Sequence, residues 1–115
     1  MRNEVLPDLS EAAERCCDAL AANGARPIAR VIASKQATDL AFAAKGFGHL
    51  IVRCVPAPAP DDYHALATML AQGDFTRAFI VYTAEDQPHL PGEIESYPLS
   101  RIDELAALLA KESPP

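Results

Sequence analysis

The chain is 115 residues long and half hydrophobic, with sixteen acidic residues against ten basic ones and a net charge of −6 at pH 7. That length builds one domain around a single core, and the apolar half suffices to fold it without metal or disulfide staples. The acidic balance disfavours tight, general nucleic-acid binding, because gripping phosphates requires a basic face that displaces their counterions.

Ten prolines against five glycines point to defined loops. No apolar run approaches the ~18 residues that a membrane-spanning helix needs. The opening stretch, MRNEVLPDLSEAAERC, lacks the apolar core of a signal peptide, so a soluble cytoplasmic protein is expected. Cys16, Cys17 and Cys54 show no C-x-x-C spacing and read as small buried hydrophobes. His49, His64 and His89 are scattered and give no zinc-ligand spacing.

In chain order, residues 8–23 (DLSEAAERCCDALAAN) read as an amphipathic helix. Leu9, Ala12, Ala13, Cys16 and Leu20 share its apolar face, and Glu11, Glu14 and Asp18 face water. Asp8 with Glu11 forms a capping pair, and Gly24 supplies the stop. RPIARVIA (26–33) is a strand candidate. TDLAFAA (38–44) alternates, with Leu40 and Phe42 on one side and Asp39, Ala41 and Ala43 on the other. KGFG (45–48) turns the chain into HLIVRCV (49–55), which is apolar on both faces except for Arg53 and so reads as a central strand.

PAPAP (56–60) reads as a rigid extended connector. DDYHALATMLAQGD (61–74) is a second helix capped by Asp61, with Tyr63, Leu66, Ala67 and Leu70 as its buried stripe. A buried strand follows at 78–82. After the loop 84–93, IESYPL (94–99) reads as an edge strand, because Pro98 cannot donate to a ladder. SRIDELAALLAKE (100–112) is a last helix, with Ser100 and Asp103 as its capping pair and Ile102, Leu105, Ala106 and Leu109 facing inward. The expected fold is a single α/β domain over 1–115, with its core at about 8–112. Its order is α-β-β-β-α-β-β-α, a mixed sheet with helices on both faces.

That order, with EAAERCCDALAANG, ATDLAFAAKGFGHLIVRC, RAFIVYT and IESYPLSRIDELAALLAK as its elements, resembles the restriction-endonuclease-like fold. This is the PD-(D/E)XK nuclease superfamily, and the Mrr-like and Holliday-junction-resolvase-like branches are closest in style. The resemblance implies a metal-binding aspartate at Asp39 and a helix acid at Glu11 or Glu14. It implies glutamate or glutamine where Arg53 stands and lysine where Val55 stands. Such a site uses two carboxylates to hold Mg²⁺, which acidifies a bound water and neutralises charge on the phosphate. Here a guanidinium would repel the cation and valine carries no charge, so the active-site motif is degenerate. Lys35 or Lys45 would have to serve as a migrated lysine if activity survived.

The residues carry plainer readings too. Asp39 is also readable as an exposed strand-end acid, Arg53 as a side chain reaching the sheet rim or a helix acid, and Glu11 and Glu14 as solvated helix acids. Thr83, Glu85 and Asp86 follow a buried strand, where α/β sheets place ligands, yet read equally as a polar loop. No glycine-rich phosphate loop and no nucleophile motif is present in the sequence. The favoured expectation is a catalytically inactive restriction-endonuclease-like domain, DNA-related by resemblance, that contacts protein or weakly held nucleic acid. It needs no cofactor, and its partner is another protein or a second copy through the IESYPL edge. The alternatives are a Mg²⁺-dependent nuclease with a rearranged site, in which Asp39 holds metal, and an unrelated small α/β protein that binds a partner or ligand. The first expectation carries a geometric consequence: Arg53 pairs with Asp39 across the hairpin.

Overall fold

A computed structural model describes residues 9–34, 37–44, 48–83 and 94–112. Its elements are α1 (Leu9–Ala21), β1 (Ala25–Ser34), β2 (Ala37–Ala44), β3 (Gly48–Val55), α2 (Pro60–Ala71), β4 (Arg77–Tyr82), β5 (Glu95–Pro98), a 3-10 turn (Leu99–Arg101) and α3 (Ile102–Glu112). This is the α-β-β-β-α-β-β-α order read from the sequence. The five strands lie side by side in chain order, β1-β2-β3-β4-β5. The first two pairings are antiparallel and the last two parallel. Short turns can close the antiparallel pairs, whereas the parallel step from β3 to β4 requires a crossover, which α2 provides.

Helices cover both sides of the sheet. On one side α1 brings Ala13, Cys16 and Leu20, and α3 brings Ile102, Leu105 and Ala106, onto Leu40, Phe42, Leu50, Val52, Phe79 and Val81. On the other side Leu66 of α2 packs with Ile51, Val55, Ala78, Ile80 and Tyr82. Each such fully buried aliphatic or aromatic side chain is worth about 1.5–3 kcal/mol of transfer free energy. Strand β3 is sandwiched between the two layers, which explains why its sequence lacks a polar face. Among the described residues no helix is long and apolar enough to cross a membrane.

The element ends follow local chemistry, with several departures from the sequence reading. Gly24, at φ +100°, ends α1 in the left-handed region where a Cβ would be strained. Helix α2 begins at Pro60, not at Asp61, with Ala59 in extended backbone at the cap. Proline suits a first helical position because its missing N–H has no partner there in any case. So the last proline of PAPAP belongs to the helix, and it is Asp62 whose carboxylate accepts the Ala59 backbone N–H at 3.0 Å. Ala67 is exposed, and Met69 joins Tyr63, Leu66 and Leu70 on the packed face instead. Ser100 lies within the 3-10 turn, so it does not cap α3. Asp8 and the side chains of Leu9 and Leu109 fall outside what is described.

Two of the three thiols match the reading as small buried hydrophobes, and Cys17 matches it only in part. Cys16 and Cys54 are fully buried and touch, Sγ to Sγ at 3.7 Å, while Cys17 is half-buried. The hydrogen bond to Cys54 and burial both push the Cys16 thiol well above its usual range, and burial also raises Cys17. A raised acid pKa favours the neutral form in the fold, so this contribution is complete at neutral pH and is lost as pH climbs beyond the normal thiol value. Iodoacetamide at pH 8 is therefore expected to leave Cys16 and Cys54 unmodified in the native chain and to label Cys17 slowly. All three should react in denaturant, as peptide mass mapping would show.

Candidate functional site: a guanidinium held between two aspartates

Strand alternation and register build this site. In the β2–β3 ladder Asp39 stands directly opposite Arg53. Leu40 and Phe42 point to the α1/α3 side, so the period of two sends Asp39 to the α2 side of the sheet. The neighbours of Arg53 on that face are Ile51 and Val55 along β3 and Ile80 across on β4, all buried and apolar. A charge placed there must find its partners within the protein.

It does. Arg53 donates from Nε to Asp39 Oδ1 at 2.7 Å and from Nη2 to Asp39 Oδ2 at 3.0 Å, a side-on two-point contact. Its Nη1 donates to Asp62 Oδ1 at 3.3 Å. Asp39 is 6% exposed and Arg53 8%. The other oxygen of Asp62 takes the Ala59 N–H, so one carboxylate both starts α2 and holds the guanidinium. Hydrogen bonding to Asp39 raises the pKa of Arg53 against the opposing effect of burial. Charge-assisted bonds of this fork geometry are about twice as strong as neutral ones.

The chemistry available to the arrangement is limited by the same contacts. A guanidinium neither gives up nor accepts a proton near neutral pH, so Arg53 cannot act as general acid or base. Both oxygens of Asp39 accept N–H donors from Arg53, whose positive charge would repel a divalent cation at that carboxylate. Val55, at the position the resemblance assigns to lysine, is buried among Leu66, Ile80 and Tyr82. Among the described residues no three His, Cys, Asp or Glu side chains converge as metal ligands would. The residues around Asp39 thus do not fit Mg²⁺ while Arg53 stands between the aspartates.

The remaining candidates lie elsewhere. Glu11 and Glu14 are exposed on α1, which packs on the opposite side of the sheet from Asp39. Glu14 pairs with Arg30 at 3.5 Å. Thr83 is half-buried just past β4, and its backbone N–H donates to the Val55 carbonyl at 3.1 Å. Lys35, Lys45, Glu85 and Asp86 lie outside the described residues. The residue that sequence reasoning did not name is Asp62, which fulfils the reading of Arg53 as bonded to a helix acid. Its signal was present in APDDYH: an acid three positions into a helix that starts after Ala59 can reach back to the cap.

Asp39→Leu is expected to cost about 3–5 kcal/mol, because it leaves a buried guanidinium with one partner. Arg53→Met should cost a similar amount by orphaning Asp39, and the Asp39→Leu/Arg53→Met pair should recover a large part of the loss. Asp62→Ala, which removes the longer and more exposed contact, should cost about 1–2 kcal/mol. Urea denaturation of the four variants gives the coupling energy directly, and additive single losses would show that the contacts are energetically idle.

Comparison with protein-family models, with curated proteins and with solved structures finds no match to this chain.

Proposed function

We propose that this chain is a restriction-endonuclease-like domain in which an internal ion pair stands where metal-dependent chemistry would be organised, and that it works by contacting another macromolecule. The observation that carries this reading is the position of Arg53, with its guanidinium bonded to Asp39 on the neighbouring strand and to Asp62 on the following helix. A nuclease of this kind needs a cation that brings its own water to the phosphate. A tethered guanidinium supplies the charge without the water, so it satisfies the aspartates structurally and offers no nucleophile. The element order, the central β3 and the helices on both faces agree with the reading. The net charge of −6 favours a protein partner over a phosphate backbone.

A working nuclease with a rearranged site is the competing reading, and the convergence of a second carboxylate, Asp62, on the same point is what favours it. Divalent-ion titration separates the two. Mg²⁺ and Mn²⁺ should leave the unfolding temperature of the parent chain unchanged, and a supercoiled plasmid should survive incubation with protein and either ion. Arg53→Gln, which leaves the two aspartates facing each other without their cation, should gain stabilisation by Mn²⁺ in the millimolar range. Metal-dependent stabilisation of the parent, together with nicking that disappears in Asp39→Ala, would establish the nuclease instead.

A further inference from the structure

Two of the three cysteines lie far apart in sequence and meet in the core. Cys16 of α1 and Cys54 of β3 are separated by 38 residues, and their sulfurs stand 3.7 Å apart. At that distance the sulfurs touch, and a bond between them requires a further approach of about 1.7 Å. Cys17 is the next residue along α1, so it projects about 100° around the helix from Cys16, and it is only half-buried. The fold therefore selects one of two neighbouring thiols as the partner of Cys54.

The two elements joined by this contact are held in different ways. Cys54 belongs to β3, which is bonded to a strand on each side, opposite Thr38 of β2 and Val81 of β4. Helix α1 docks mainly through small side chains. Among the described residues those it buries are Ala12, Ala13, Cys16 and Leu20, and only the leucine is large. Alanines remove little apolar area from water, so the helix can undock at lower cost than the sheet can open. A covalent tie from Cys16 to Cys54 would fix that helix to the central strand. It would also close a long loop in the unfolded chain, whose lost freedom favours the fold. Both thiols are fully buried, so exchange at either one starts while α1 is undocked.

We infer that Cys16 and Cys54 are a dithiol–disulfide pair, which ties α1 to β3 under oxidising conditions and leaves it held by apolar contacts alone under reducing ones. With α1 undocked, the thiolate of one cysteine attacks a small disulfide such as oxidised glutathione and displaces one glutathione thiolate. As α1 redocks, the second cysteine attacks the protein sulfur of the mixed disulfide and displaces the other. Two cysteine thiols give up two electrons and two protons, and one glutathione disulfide becomes two thiols. The test unfolds the full chain in urea with reduced and oxidised glutathione, refolds part of it by dilution into the same redox buffer, and maps both acid-quenched samples as unreduced peptides. The loops closed by the 16–54 and 17–54 bridges differ by a single residue, so chain statistics cannot separate them. In urea the two bridges should form in near-equal amounts, and after refolding 16–54 should exceed 17–54 by more than about tenfold. The bridged chain should unfold roughly 5–15 °C above the reduced one, and Cys17→Ser should leave the 16–54 bridge in place. Equal amounts of the two bridges after refolding would overturn the inference. So would three free thiols in the refolded chain, or a bridged chain no more stable than the reduced one.

Discussion

The structure depends on one constraint: a guanidinium buried in the apolar face of a central strand must be satisfied by the protein itself. Arg53 is flanked along β3 by Ile51 and Val55 and faces Ile80, so most of its hydrogen bonding must come from the protein. Three pieces of the fold are tied to meeting that demand. The β2–β3 register must set Asp39 directly across. The start of α2 must lie where Asp62 reaches both Ala59 and Arg53. The parallel placement of β4 must then close the other flank.

The gain from such a cluster is better described as selection than as raw stability. Burying a charged pair against good contacts roughly breaks even with an apolar replacement of the same shape, whereas separating the pair is severe. A one-residue slip of β2 against β3 would turn Asp39 toward Cys16, Leu20 and Phe79 on the α1/α3 side, and would push Leu40 and Phe42 out of that core. The ion pair and the hydrophobic alternation therefore penalise the same error. That agreement between polar and apolar signals is what narrows a sequence to one register.

The two borders of the sheet are built differently. At β5 the strand is short, carries a proline, and runs at once into the 3-10 turn that leads to α3. Tyr97 there donates to Glu95, and burial together with that bond holds the phenol above its normal titration range. At β1 the strand is long and bears isoleucine and valine toward solvent, with bulges as its main irregularity. An edge of that composition is costly to leave bare. Among the described residues the asymmetry places the large exposed apolar side chains on β1, where Val31 stands beside Asp39 of β2.

Much of this was legible in the residues. Alternation identified β2 and assigned Leu40 and Phe42 to one face and Asp39 to the other. The unbroken run of β3 marked it as central. The pairing of Arg53 with Asp39 was expected as a consequence of the resemblance to a degenerate nuclease site, beside a reading in which Arg53 reaches the rim or a helix acid. These are local or nearest-neighbour features, set by side-chain periodicity and by a short turn, so the sequence determines them. The start of α2 at Pro60 and its cap from Asp62 were local signals in APDDYH. The bond from Asp62 to Arg53, the exposure of Ala67 and the bare edge at β1 were decided only in three dimensions. Each depends on which segment lies beside which after the crossover. A carboxylate nine residues from Arg53 becomes its partner, and an apolar strand becomes an edge, only when the sheet has been threaded and its ends assigned.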